Sequence, residues 1–180
     1  MIELKNLANG EIEPFFNSLR DEKYLSEMFP DMISTAKFIA VARIDKELAG
    51  IAGIVLGRFN IPILFISIKP QFRRRGLGNK MMQNIIAFTK ENYSCLTLST
   101  YKSERYKPAI NLYLKNEFKI FCEPCNQYFM GLPFNRRGEI LCRLLSIIFT
   151  ISCSPVGHIL RGIRSICSHW IQPLSKSFRQ

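Results

Sequence analysis

The chain has 180 residues, of which 47% are hydrophobic, so it can bury the core of one domain and carry a short appendage. Its formal net charge of +11 favours an acidic ligand, a membrane surface or nucleic acid as a partner. No zinc-finger, RRM or basic-zipper motif accompanies that charge, and we therefore expect no nucleic-acid partner.

The beginning of the chain and the cysteines predict a reducing compartment. Glu3 and Lys5 follow Met1 without an apolar run, so we predict no signal peptide and expect a cytoplasmic protein. The six cysteines are then expected to be reduced thiols. Cys122 and Cys125 have a metal-type spacing, but no second such pair exists, and a hairpin turn between two strands is favoured. We expect no metal.

The predicted elements alternate between strands and helices along the chain. Ile2 and Leu4 predict a short first strand, and apolar spacing over residues 11–34 predicts two short helices. Strands follow at residues 37–44, 48–56 and 61–68, where Gly50 and Gly53 indicate close approach of another backbone. The remaining elements are a helix at 76–92, a strand at 94–101, a helix at 107–116 and a closing hairpin at 118–122 and 128–132.

The most informative stretch is the turn between the strand that ends at Ile68 and the next helix. Pro70 stops the strand, and residues 73–78, with the sequence Arg-Arg-Arg-Gly-Leu-Gly, lead into a helix whose apolar residues share one face. The first N–H groups of a helix have no internal acceptor and lie at the positive end of its dipole. The glycines let the backbone approach a phosphate and the arginines add charge, so the turn predicts an anion site.

Residues 73–78 do not fit two common phosphate loops. A Walker loop needs Ser or Thr after Lys80, and the Rossmann fingerprint needs a third glycine, but Met81 stands at both places. The stretch resembles the pyrophosphate loop of the GNAT acetyltransferase superfamily, [RQ]-x-x-G-x-[GA], at every fixed position. Residues 48–50 resemble that family's turn into its third strand, and residues 108–118 resemble its fourth helix, N-x-x-A-x-x-L-Y-x-x-x-G-F.

The resemblance covers residues 1–133 and implies an α/β fold. Helices flank a mixed, mainly antiparallel sheet whose fourth and fifth strands splay to admit the pantetheine arm of a coenzyme. We therefore predict a GNAT acetyltransferase domain at residues 1–135 and a helical, basic, amphipathic extension at residues 136–180. The chain departs from the family pattern at Tyr106, where the helix-opening asparagine is expected, and at Glu117, where a glycine is expected.

The resemblance also implies a function, an N-acetyltransferase that moves an acetyl group from acetyl-CoA, its co-substrate, to a primary amine. Coenzyme contacts are expected at the strand residues Ile66, Ser67 and Ile68 and at the loop residues Arg73, Arg74, Arg75, Gly76, Leu77, Gly78, Asn79 and Lys80. By resemblance Tyr113 donates a proton to the leaving thiolate, and a core aromatic residue is the alternative. Glu104 is the candidate general base, with water-relayed deprotonation by backbone carbonyls as the alternative.

The acceptor and the extension leave several hypotheses open. A small-molecule amine, such as an amino sugar or an amino acid derivative, is favoured over a protein amine. The rival function is a non-catalytic CoA-binding or membrane-associated module. Residues 139–153 form an apolar run shorter than a membrane span, and residues 156–170 carry an apolar stripe with Trp170 opposite a basic face. The extension therefore predicts packing on the domain, a homodimer, or peripheral contact with the inner face of the membrane.

Overall fold

The computed structural model describes residues 2–4, 14–15, 17 and 32–153. The strands are β1 (Ile2–Leu4), β2 (Phe38–Ile44), β3 (Glu47–Leu56), β4 (Pro62–Ile68), β5 (Cys95–Tyr101), β6 (Lys119–Cys122) and β7 (Gln127–Pro133). The longer helices are α1 (Leu77–Asn92), α2 (Lys107–Lys115) and α3 (Arg136–Cys153). From residue 37 to residue 133 these bounds confirm the predicted elements to within one residue.

Two predicted features fall wholly or partly outside the described residues. Of the two helices expected over residues 11–34, the structure describes helical conformation at Pro14, Phe15, Asn17 and 32–35. The apolar stripe predicted over residues 156–170 lies outside the described part of the chain.

Hydrogen bonding joins the strands in the order β1-β2-β3-β4-β5-β7-β6. The pairs β1–β2, β2–β3, β5–β7 and β6–β7 are antiparallel. β4 and β5 are parallel, with Ile63 opposite Thr97, and the Thr97 hydroxyl donates to the Pro62 carbonyl at 2.9 Å. The mixed, mainly antiparallel sheet with flanking helices that the sequence predicts is confirmed.

The chain folds into two compact units. The first contains the described residues up to 56 together with 64–88, and the second contains residues 57–63 and 89–153. The first unit has a core of side chains from the early helical segments, β2, β3 and β4, which are Phe15, Met32, Ile33, Val41, Leu48, Ile51 and Phe65. The second unit has a core that includes one face of α3, formed by Ile61, Cys95, Phe129, Cys142, Leu145 and Phe149.

Two glycines of β3 permit close packing inside the first unit. A Cβ at Gly53 would collide with the Phe65 ring and would lie 2.6 Å from the Phe38 carbonyl oxygen. A Cβ at Gly50 would lie 3.2 Å from the Met81 sulfur of α1. A Cβ would clash at Gly53 and would be tightly packed at Gly50, so the close approach predicted at these glycines is confirmed.

α3 joins the second unit through its first turn. Asn135 caps the helix, because its Oδ1 accepts the Gly138 N–H at 2.9 Å. A Cβ at Gly138 would collide with the Ser94 carbonyl oxygen, so glycine lets the helix approach the beginning of β5. α3 begins at Arg136, where the sequence predicts that the extension begins. The division into a domain and an extension stays a prediction.

Candidate functional site

A buried lysine anchors the beginning of the turn between β4 and α1. Lys69 is 8% exposed, its N–H donates to the Ala49 carbonyl at 2.9 Å, and its ammonium lies 2.8 Å from Glu47 Oε1. The ammonium also lies 5.8 Å from the centroid of the Phe15 ring. The Phe72 N–H donates a hydrogen bond to the Lys69 carbonyl at 2.9 Å and closes a 3-10 turn. Both the backbone and the side chain of Lys69 thus determine where the chain leaves β4.

The backbone between this turn and α1 twice takes a left-handed conformation. Arg74 has a φ of 60° and Gly76 a φ of 77°. A Cβ at Gly76 would meet no atom within 4 Å, so conformation rather than space favours glycine there. The Lys80 N–H donates to the Gly76 carbonyl at 3.2 Å, which makes Gly76 the residue that caps α1. The beginning of α1, with the positive end of its dipole, therefore lies directly after Gly76.

The three arginines before Gly76 have different surroundings. Arg73 Nε donates to the Ile68 carbonyl at 2.8 Å and ties the turn to the last residue of β4. The Arg75 guanidinium lies 5.5 Å from the centroid of the Phe72 ring. Sequence reasoning treated these arginines as charge alone and missed the structural contact of Arg73, since nothing in the motif indicates which carbonyl an arginine reaches.

The charged residues directly before α1 and in its first turn are all basic. Its first turn carries no acidic residue, while residues 73–75 and Lys80 are exposed. Met81, Met82 and Ile85 are fully buried and hold the helix in place. Basic side chains, the first N–H groups of the helix and the positive end of its dipole together form a site that can bind a phosphate or a diphosphate.

β4 also contains a buried hydroxyl that no described residue satisfies. Ser67 is 5% exposed, and its Oγ has no hydrogen-bond partner among the described residues. Strand alternation places Ser67 on the same face as Phe65, which belongs to the core of the first unit. An unpaired buried hydroxyl is costly, so it indicates a position where a ligand or water is bound. The sequence predicted a role for Ser67 in coenzyme binding but did not single out its hydroxyl.

Tyr113 lies in the second unit, where the end of α2 holds it in place. The Phe118 N–H donates to the Tyr113 carbonyl at 3.1 Å, and the Glu117 N–H donates to the Leu114 carbonyl at 3.1 Å. These are the two hydrogen bonds of a Schellman motif, and the Tyr113 and Phe118 rings, 5.9 Å apart, make its hydrophobic contact. Burial raises the pKa of Tyr113 to about 12, so the phenol keeps its proton at neutral pH.

The two departures from the family pattern have local explanations. Glu117 has a φ of 68° and occupies the left-handed position of the Schellman motif, where glycine is usual. The helix end thus keeps its path although a side chain is present. Tyr106 precedes α2 and caps it without a side-chain hydrogen bond, and its ring lies 5.8 Å from that of Tyr101. An aromatic contact therefore stands where an asparagine cap is expected.

Glu104, the candidate base, begins a 3-10 turn before α2 in the second unit. Its side chain is 87% exposed, and Oε2 lies 3.2 Å from the Lys107 ammonium. The structure thus brings residues 66–80 together in the first unit, and it places Tyr113 and Glu104 in the second. The catalytic assignments of these two residues stay predictions.

The described residues contain neither a cluster of metal ligands nor a membrane-spanning helix. Within the described ranges, no three His, Cys, Asp or Glu side chains are grouped so that they could hold a metal ion. Cys125 is exposed, has a φ of 53° and lies in the turn between β6 and β7. No helix in the part of the chain that the structure describes has the length and apolar character needed to cross a membrane.

Comparison with known proteins identifies the class to which this fold and glycine turn belong. The model of the acetyltransferase (GNAT) family matches residues 4–118. The chain therefore belongs to the GNAT acetyltransferase family, as its sequence predicts. No match was found among curated proteins.

Solved structures show the same fold. An acetyltransferase of the GNAT family from Streptococcus pneumoniae is 20% identical, with a TM-score of 0.59 over 75% of this chain and 99% of that one. The N-acetyltransferase PseH from Campylobacter jejuni, in complex with acetyl coenzyme A, is 24% identical, with a TM-score of 0.56 over 75% of this chain and 100% of that one. The protein yncA from Salmonella typhimurium, solved with its cofactor acetyl-CoA, is 11% identical, with a TM-score of 0.61 over 76% of this chain and 94% of that one.

Replacing Glu117 by glycine should raise the free energy of unfolding by about 1 kcal/mol, because glycine takes the left-handed conformation without the penalty of a Cβ. Urea denaturation followed by circular dichroism measures the change. Glu117→Ala is the matched control, since it removes the same carboxylate but keeps the Cβ, and we expect no such gain. An equal gain in both variants would show that the carboxylate, and not the backbone, reduces stability.

Proposed function

We propose that this protein is an N-acetyltransferase that moves an acetyl group from acetyl-CoA to a primary amine. The observation that carries the proposal is the glycine turn before α1, where Gly76 has a φ of 77° and its carbonyl accepts the Lys80 N–H at 3.2 Å, so that the helix begins directly after three arginines. Two structures with the same fold, PseH and yncA, contain acetyl-CoA. In this chain the N–H groups of residues 74–80 would bind the diphosphate of the coenzyme, and Arg74 and Arg75 would add charge.

The pantetheine arm would pair with the backbone of residues 66–68 like an added strand. The contact of Arg73 with the Ile68 carbonyl constrains this pairing, because that oxygen already accepts a hydrogen bond at 2.8 Å. The N–H groups of these residues are therefore the groups that we assign to the coenzyme. One of them would also donate to the oxyanion that forms when the thioester is attacked.

The proposed reaction has a simple balance of bonds and protons. The lone pair of a neutral amine attacks the thioester carbonyl carbon, a C–N bond forms, and the C–S bond breaks to release the thiolate. Tyr113 gives its proton to that thiolate, and the phenolate is then reprotonated by solvent. The raised pKa of Tyr113, about 12, keeps the donor loaded throughout the neutral range. The amine gives up its own proton to a base.

Two routes are open for the proton that the amine gives up. Glu104 is the candidate from the sequence, but its exposure and its ion pair with Lys107 favour a carboxylate that stays solvated. Relay of the proton through water and backbone carbonyls is the alternative.

We propose that the Ser67 hydroxyl, buried and without a partner among the described residues, binds the acetyl carbonyl or the acceptor amine.

A small-molecule amine is the acceptor that we favour over a protein amine, because no acidic peptide-binding groove can be identified from the sequence. The rival proposal is a module that binds CoA without catalysis. A panel of amino sugars, amino acid derivatives and lysine peptides, with thiol release from acetyl-CoA as the readout, separates these functions. Binding without thiol release from any amine would favour the rival. The cytoplasmic location stays a prediction from the sequence.

Reversing the charge of either Arg74 or Arg75 should weaken acetyl-CoA binding by about 10- to 100-fold, because a hydrogen bond to a charged partner is worth about 1.5–3 kcal/mol. Isothermal titration measures the Kd. Arg73 is left intact because it also holds the turn on β4. Lys90→Glu, in the last turn of the same helix, is the matched control and should bind normally. Equal losses in all three variants would contradict a phosphate site at the turn.

Tyr113→Phe should lower kcat about 100-fold, the smaller end of the range for a general acid, since a thiolate leaves tolerably without one. The Kd of acetyl-CoA should not change. The wild-type kcat should show no loss from Tyr113 ionisation below about pH 10, because burial raises its pKa from 10.0 to about 12. An unchanged kcat in the variant would show that Tyr113 packs in the protein and does not donate the proton.

Ser67→Ala should lower kcat/KM about tenfold, the effect of one lost hydrogen bond, and should leave the protein at least as stable as the wild type. Removal of a buried hydroxyl that lacks a partner relieves a desolvation cost in the ligand-free protein. Thermal denaturation and thiol-release kinetics measure the two effects separately. Lower stability with an unchanged kcat/KM would instead show that the hydroxyl has a purely structural partner.

A further inference from the structure

α3 has two apolar faces, and the described part of the chain covers only one of them. Cys142, Leu145 and Phe149 are buried in the core of the second unit. A second set at spacings of four, three and four residues forms a stripe along the helix, which we call the aliphatic stripe. It consists of Ile140, Leu144, Ile147 and Ile151, which are 49%, 52%, 56% and 39% exposed. Four adjacent half-exposed aliphatic side chains on one helix face indicate a contact surface.

The borders of the aliphatic stripe are basic. Arg136 and Arg137 are exposed in the first turn of α3, and Arg143 is 71% exposed and lies one turn from both Ile140 and Ile147. The acidic residue of this helix, Glu139, is only 28% exposed and pairs with Arg143 at 2.9 Å. The charges that a partner would meet beside the stripe are therefore guanidinium groups.

The charged residues that follow in the sequence are also basic. After Glu139 the chain has no further Asp or Glu, and its charged residues are Arg143, Arg161, Arg164, Lys176 and Arg179. A second copy of this helix, or the basic segment at 154–180, would bring like charges together over the stripe. An anionic partner would neutralise them. An apolar stripe with arginine borders suits the boundary between phosphate headgroups and acyl chains, where arginine stems lie along the apolar layer.

We propose that the aliphatic stripe of α3 binds an anionic membrane surface. The helix, about 27 Å long from its 18 residues, lies in the plane of the interface, and its opposite face stays in the protein core. Arg136, Arg137 and Arg143 contact lipid phosphates. This surface is independent of the proposed acetyl transfer, because none of its residues belongs to the glycine turn or to the proposed catalytic groups.

Flotation of the full-length protein with vesicles tests the proposal. We expect the protein to float with vesicles that contain phosphatidylglycerol and to remain behind with vesicles of phosphatidylcholine alone. Leu144→Glu combined with Ile147→Glu should abolish flotation. Leu114→Glu, on α2, is the matched control for a half-exposed leucine and should float like the wild type, since Leu114 is 47% exposed. Flotation that survives the double substitution would overturn the proposal.

A second variant keeps the test valid if the double substitution disturbs folding. Arg136→Gln combined with Arg137→Gln leaves the aliphatic stripe intact and should weaken vesicle binding about fivefold for each arginine removed. Circular dichroism and titration with acetyl-CoA check that each variant is folded and that its coenzyme site is intact. Unchanged binding to anionic vesicles in this variant would overturn the role of the arginine borders.

Other occupants of the stripe would give different results in solution. If residues 154–180 cover it, the double substitution should shift the emission of Trp170, the one tryptophan of the chain, without any lipid. If a second copy covers it, sedimentation should show a dimer that the double substitution converts to a monomer. Either result, with no flotation of the wild type, would overturn the membrane proposal.

Discussion

The close packing of β3 against β4 and α1 is the constraint on which the candidate site depends. A Cβ at Gly50 would lie 3.1 Å from the Ser67 carbonyl oxygen and 3.2 Å from the Met81 sulfur, so glycine at this position of β3 lets the three elements pack closely without a shift. From the same strand, Ala49 and Glu47 bind the backbone and the ammonium of Lys69. One strand therefore positions the end of β4, the beginning of the turn and the helix that follows. Because β3 holds the end of β4, the turn and α1 together, the N–H groups proposed to bind a diphosphate have a defined direction.

The end of α2 shows how the family geometry persists without the family residue. Glu117 takes the left-handed conformation that glycine usually provides, at a φ of 68°. Two backbone hydrogen bonds and the contact between the Tyr113 and Phe118 rings hold it there. The conformational cost of the side chain is thus offset by the motif around it. Tyr113 keeps a defined place on the helix although the sequence departs from the pattern beside it.

The family match ends at residue 118, but the core of the second unit does not. β7 and α3 contribute Phe129 and Phe149, whose rings lie 5.4 Å apart. α3 is therefore an integral part of that core. Its aliphatic stripe is a second apolar face, separate from the face that is buried in the core. A helix with two apolar faces can serve both the protein interior and an external partner.

The sequence by itself determined the elements of the described chain, the family and the position of the glycine turn, because apolar periodicity, proline and glycine act over a few neighbouring residues. Tertiary structure alone decided which partners those residues meet. Lys69 pairs with Glu47, 22 residues away, and Arg73 reaches back to the Ile68 carbonyl. The lack of a described partner for the Ser67 hydroxyl likewise follows from packing around β4, and no local pattern encodes it. The exposed face of α3 has the same origin, since an apolar run of residues does not indicate which side of its helix meets the sheet.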